Sequence, residues 1–189
     1  MDAKLEKNRI NTNTASSRVT TRDIAQTGLL TALVFIATYF IQFKLPIFSQ
    51  GGLVHTGTVV AYIAAVVFGP KKGALAGAFG MGIFDILSGW AIWAPFTFVI
   101  RGVMGYMLGK FAYANGKNGE NIVYNIIGLV VSGAWMMGGY YLTEVFLYHN
   151  WITPIGSLPG DATQLAFALF LGVPIAAVLK KAFKRANII

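Results

Sequence analysis

Six apolar segments, roughly residues 24–43, 53–69, 71–90, 95–114, 121–144 and 161–180, divide the chain. Each comes close to the roughly 17–25 residues that a helix needs to cross a bilayer. Each ends at a clear break: Lys44-Leu45-Pro46, Gly69-Pro70-Lys71-Lys72, Ser88-Gly89-Trp90, Asn115 through Gly119, and Pro154 through Gly160. In hydrocarbon a segment must satisfy its own backbone polar groups, so this pattern points to an all-α integral membrane protein, a bundle of six transmembrane helices. Only 12% of the residues are charged and 56% are hydrophobic. Soluble domains carry about twice that share of charge, so lipid is the expected solvent.

The basic residues set the expected orientation. With the N-terminus inside, thirteen of the 15 lysines and arginines fall on the cytoplasmic side, Lys44 lies outside and Arg101 sits within a span. That asymmetry places both termini in the cytoplasm and reads the net charge of +8 as topology, not nucleic-acid binding. Residues 1–22 are polar and lack the apolar stretch of a cleavable signal, so they read as a disordered or interfacial cytoplasmic tail. Residues 23–185 form the transmembrane domain and 186–189 a cytoplasmic C-terminus. There is no cysteine, which excludes disulfides, thiolate metal sites and thiol nucleophiles.

Two charges break the apolar rule. Arg101 is nine residues from Lys110, about 14 Å by helix rise, and Asp85 is fourteen from Lys71, about 21 Å. An ionised side chain at bilayer depth costs roughly 2.5–3.5 kcal/mol on insertion scales, so these two residues are expected to pair with each other or to meet a ligand. Further polar groups gather at the same outer level. His55 opens the second span, Glu144 closes the fifth, and Asp161, a candidate cap, opens the sixth together with Gln164. The outer ends carry aromatic residues, including Phe48, Trp90, Trp93, Tyr140, Tyr148 and Trp151. They fit an interfacial belt or a stacking surface for a flat ligand. An outward-opening pocket is the expectation, with the connection from Lys44 to Gly57 as a lid.

Small residues recur at close spacing in two spans: Gly28 and Ala32 in the first, and Gly73, Ala74, Gly77, Ala78 and Gly80 in the third. Such stripes let helix backbones approach closely in lipid. The third reads as packing within the bundle, the first equally as a surface for a partner. No phosphate-binding glycine loop, metal-ligand cluster or nucleophile–base pair is present: Ser132 is mid-span while His149 lies in an outer loop. No catalysis and no cofactor are therefore expected of the chain.

Several stretches together resemble a known family: Gly52-Leu53-Val54-His55-Thr56-Gly57, Phe68 through Gly77, Asp85-Ile86-Leu87-Ser88-Gly89-Trp90, Ala94-Pro95-Phe96-Thr97 and Arg101-Gly102. The chain is similar to the S components, the substrate-capture subunits of energy-coupling-factor vitamin transporters, and within these to the hydroxymethylpyrimidine and pyridoxine branch. Relatives carry an acidic residue where this chain has Thr58, and many carry lysine at Arg101. Their alanine-x-x-x-alanine coupling motif matches here as Gly28 and Ala32. The resemblance implies a multi-pass protein of a prokaryotic cell membrane that captures a vitamin or precursor outside. It would deliver that ligand through a transmembrane coupling protein and two cytoplasmic ATPases, with no nucleic acid involved. His55, Asp85, Trp90, Trp93, Arg101, Tyr140, Glu144 and Gln164 are the candidate ligand contacts. A stand-alone proton-coupled carrier, with Asp85 and Arg101 as the relay, is the alternative; the two halves of the chain show no repeat of the kind many carriers have.

Overall fold

The computed structural model describes residues 19–44 and 53–188. The chain forms α1 (Thr21–Phe40), strands β1 (Gln42–Lys44) and β2 (Leu53–His55), α2 (Gly57–Phe68), α3 (Pro70–Leu87), α4 (Ala94–Ala112) and α5 (Ile122–Tyr148). It closes with α6 (Leu158–Phe167), a π-helical turn (Ala168–Gly172) and α7 (Val173–Arg185). Three stretches, Thr21–Phe40, Ile122–Tyr148 and Thr153–Arg185, are long and apolar enough to cross a membrane. The helices run up and down between two ends. One holds β1, β2 and the connections after α3 and α5 (the hairpin end); the other holds Lys71, Lys72 and Lys184 (the basic end).

Caps account for two of the starts. Thr20 accepts from the Asp23 amide while the Asp23 carboxylate accepts from the Thr20 amide, a reciprocal pair that begins α1 at Thr21, inside the stretch expected to be tail. The Asn121 side chain accepts from the amides of Val123 and Tyr124 and starts α5. Between α2 and α3 the turn is a single residue, Gly69, whose φ of 93° suits glycine, with Pro70 opening the next helix.

The expected second span, 53–69, is the main correction to the fold. Its first three residues pair antiparallel with β1 in the register Gln42↔His55, Phe43↔Val54, Lys44↔Leu53, a short hairpin on an otherwise all-helical protein. The helix that follows has only 12 residues, nine of them buried. At about 18 Å it is too short to cross a core of about 30 Å alone. It is instead the central element, packed against α1, α3, α4, α7 and the π turn. The rest of the expected lid, with Phe48, lies outside the described residues.

Small residues set the closest helix contacts. A Cβ on Gly73 would strike Ala65 of α2, one on Gly80 would strike Val34 of α1, and one on Gly105 would strike the Gly73 carbonyl across the α3–α4 crossing. The stripe on α3 is therefore spent inside the bundle. By contrast α1 buries only Leu30, Val34 and Thr38 and leaves Leu29, Leu33, Ile36 and Phe40 exposed.

The π turn has a geometric consequence. In a straight helix Gln164 and Lys180 would point about 160° apart; the wider turn takes back about 90°, so both can face inward. Both are buried, at 2% and 7% exposure. Lys180 belongs to the lysines expected on the cytoplasmic side; its Nζ donates to the Val67 carbonyl at the end of α2 and to the Tyr113 hydroxyl, both at 2.8 Å, and Tyr113 Oη donates to the same carbonyl at 2.9 Å.

Gly105 and Gly138 should respond oppositely to substitution. Gly105→Leu is expected to lower stability by about 1–3 kcal/mol, because backbone on α3 has no room to yield. Nothing lies within 4 Å of a Cβ on Gly138, so Gly138→Ala is expected to be neutral or slightly stabilising. Thermal unfolding of the purified protein in detergent reads both; a stable Gly105→Leu protein would contradict this packing.

Candidate functional site

Three helices present polar side chains at one-turn spacing towards the hairpin end. On α4, Trp93 just before the helix, Thr97 and Arg101 follow at four-residue intervals; on α5, Met136, Tyr140 and Glu144 do the same; on α6, Asp161 and Gln164 are three apart. Their convergence point is Arg101, only 3% exposed. Its Nε donates to the Tyr140 hydroxyl at 3.1 Å, Nη1 to Thr58 Oγ1 at 3.0 Å, and Nη2 to Gln164 Oε1 at 3.0 Å. Nη1 also meets the sulfurs of Met136 at 2.8 Å and Met104 at 3.8 Å. Four helices thus hold one guanidinium.

The acceptors are interlocked. Thr58 donates its own hydroxyl hydrogen to Gln164 Oε1 at 2.7 Å, and Gln164 Nε2 donates to the Leu53 carbonyl of β2 at 2.9 Å. One amide therefore links the arginine to the hairpin. A small cavity of about 10 Å³ adjoins Arg101 on the side of the basic end, lined by Tyr62, Met81, Met104 and Leu108 among others. Beyond Arg101 in that direction the interior is largely apolar.

The direct Asp85–Arg101 ion pair expected from the sequence is not formed: among the described residues no carboxylate lies within 4.0 Å of Arg101. The two are joined through hydroxyls. Arg101 donates to Tyr140, Tyr140 Oη donates to Thr97 Oγ1 at 3.2 Å, and Thr97 hydrogen-bonds to the Asp85 carboxylate. Two intervening side chains fill the space that a direct contact would need. Asp85 is itself buried, at 9% exposure.

The remaining candidates divide. Trp93 packs its ring against Tyr140 at 6.5 Å and Tyr148 at 6.2 Å, and one face of Tyr140 carries the Arg101 guanidinium at 5.1 Å. Trp90 is half-buried in the α3–α4 connection, its amide donating to the Asp85 carbonyl at 2.9 Å. Glu144 does not close α5, which runs on to Tyr148; it is 6% exposed and accepts from Ser157 Oγ at 2.9 Å. His55 is buried on β2, and its Nδ1 sits over Gly57 in the corner with Thr38 of α1. Gly28 and Ala32 are exposed on α1, with nothing within 4 Å of a Cβ on Gly28. Among the described residues no three acidic or histidine side chains converge on a metal position.

Sequence reasoning missed Thr58, Thr97 and Met136 as members of the cluster. Thr97 lies one turn from Arg101, a periodicity that could have found it. Thr58 was noted only as a position lacking an acid; here its hydroxyl is both acceptor and donor.

An apolar helical bundle holding an arginine in a polar cluster towards one end defines a helical membrane protein. Residues 18–181 match the family model described as ECF-type riboflavin transporter, S component, and the chain belongs to that family. It is 30% identical over 141 residues to a Pyrococcus woesei protein described as "Uncharacterized protein in gap 3'region", an alignment covering 73% of this chain and 89% of that one. It is 26% identical over 162 residues to the thiamine precursor transporter HmpT of Lactococcus lactis subsp. cremoris (strain MG1363), covering 86% and 87% of the two chains.

The hydroxyl chain makes a testable difference. Asp85→Asn keeps an acceptor for Thr97 and is expected to unfold close to the parent temperature, whereas Tyr140→Phe interrupts the chain and should cost about 1 kcal/mol or more. A loss near the 3–5 kcal/mol typical of a broken buried ion pair in Asp85→Asn would restore the direct pairing.

Proposed function

We propose that the protein is the capture subunit of an ECF-type importer: six spans, the second made by β2 and the short α2 together, both termini in the cytoplasm, and a pocket at the hairpin end that opens outward. The ligand is a vitamin or vitamin precursor of the hydroxymethylpyrimidine or pyridoxine type. The Arg101 cluster is the observation that carries this reading, because the cost of burying a guanidinium in an apolar bundle is met by acceptors drawn from several helices, with Gln164 tied to the hairpin. Trp93 and Tyr140 offer aromatic surface above it, and Asp85, Glu144 and Gln164 offer polar contacts. Family membership and the likeness to the thiamine precursor transporter support the ligand class and favour a capture subunit over a stand-alone proton-coupled carrier. A flavin is the second reading, favoured by the riboflavin description of the family model.

In this account the chain itself catalyses nothing. It hands the ligand to a transmembrane coupling protein driven by two cytoplasmic ATPases in a prokaryotic plasma membrane. The contact is the exposed face of α1, where Gly28 and Ala32 leave room for close helix approach. The test is uptake of labelled hydroxymethylpyrimidine, pyridoxine and riboflavin in cells carrying the coupling module, beside binding to the purified subunit. Parent protein should bind and import one of them. Gly28→Leu and Ala32→Leu should abolish uptake and leave binding by the isolated subunit unchanged. Weakened binding in those variants would place the stripe inside the bundle and overturn the contact.

A further inference from the structure

Tyr62 follows Thr58 by one turn on the same face of α2, on the side of the basic end. It is 1% exposed, and its hydroxyl has no hydrogen-bond partner among the described residues. An unpaired hydroxyl in an apolar interior costs free energy, and buried tyrosines ordinarily bond through that group. Tyr62 also lines the cavity of about 10 Å³ that adjoins Arg101. Arg101 has a hydrogen to spare. Of the five N–H bonds of a guanidinium, the one on Nε goes to Tyr140, the two on Nη1 to Thr58 and Met136, and one on Nη2 to Gln164. The second Nη2 hydrogen has no partner among the described residues. The wall of the cavity is completed by Ala61, Gly77 and Gly105, which bring no bulk into it, and by Met81, Met104 and Leu108.

A volume of about 10 Å³ is the space of one water molecule, and a buried water is held where it finds polar partners. We propose that this cavity is the binding site of a single structural water that bridges Tyr62 to Arg101. The water oxygen accepts the spare guanidinium hydrogen, one water hydrogen goes to Tyr62 Oη, and the sulfur of Met104 is a weak acceptor for the other. The charge of Arg101 excludes a cation, the two polar groups exclude an apolar occupant, and the volume excludes anything larger. Tyr62 is thereby a positioning residue for the guanidinium: with Thr58 it lets α2 hold Arg101 from two successive turns. The inference goes beyond the capture-subunit reading and does not rest on it.

The experiment is X-ray radiolytic labelling of the purified full-length chain in detergent, read by mass spectrometry, because a bound water generates hydroxyl radical next to the side chains it touches. After correction for intrinsic reactivity, Tyr62 and Met104 should be modified several-fold faster than Phe84, which is as buried but is not part of the cavity lining. Tyr62→Phe removes one partner of the water and keeps the ring. It should slow the labelling of Met104 several-fold and lower the unfolding temperature by about 2–4 °C. A dry cavity gives the opposite sign, since deleting an unpaired buried hydroxyl is neutral or stabilising. An unchanged or raised unfolding temperature in Tyr62→Phe would therefore overturn the bridge. So would labelling of Tyr62 and Met104 no faster than that of Phe84 in the parent, a comparison that needs no variant to fold. A shift in parent labelling or unfolding when chloride is exchanged for gluconate would give the place to an anion and overturn the water.

Discussion

The structure turns on a single buried guanidinium. Arg101 has no carboxylate in contact, so its desolvation is offset by dipoles: two hydroxyls, one amide oxygen and two thioethers from α2, α4, α5 and α6. Hydrogen bonds to a charged group contribute about 1.5–3 kcal/mol each, enough in sum to hold the charge in place. The arrangement differs from a salt bridge in one respect that matters for binding. A charge neutralised by its own carboxylate has little left to offer a ligand, whereas one held by neutral acceptors keeps its field.

The other constraints follow from placing that group. Arg101 reaches Thr58 because α2 is short and central, which in turn requires close approach by α3 at Gly73 and of α3 by α4 at Gly105. Gln164 faces the same point while the far end of the same helix still turns Lys180 onto the end of α2, a combination the π turn permits. The polar cluster and the small-residue packing are two sides of one geometry. The exposed face of α1 has no use inside the bundle.

The helical segments, the two buried charges and the packing role of the α3 stripe were legible in the sequence, because hydropathy and residue size leave direct marks there. The start of α2 was not: Leu53–His55 is apolar enough to read as helix, and only pairing with β1 reveals it as strand. The Asp85–Arg101 contact failed for a related reason. Helix rise gives depth along the axis but says nothing of what lies between, and Tyr140 and Thr97 fill that space. Nothing in the sequence marks Lys180 as buried, because the accepting carbonyl of Val67 comes from another helix and is invisible in one dimension. Asp161 was read as a cap because it stands near a helix start, a reading that only the actual cap residue can correct.

The central claim is that Arg101 forms the floor of a pocket open to the outside. The chain has no cysteine, so single cysteines can be introduced without background and probed in intact cells with a membrane-impermeant maleimide. Trp93→Cys, two turns above Arg101 on α4, is predicted to label from outside, and Met104→Cys, just below it, to stay unlabelled in folded protein. Labelling of Met104→Cys from outside, or protection of Trp93→Cys in intact cells with labelling only after they are opened, would contradict the account.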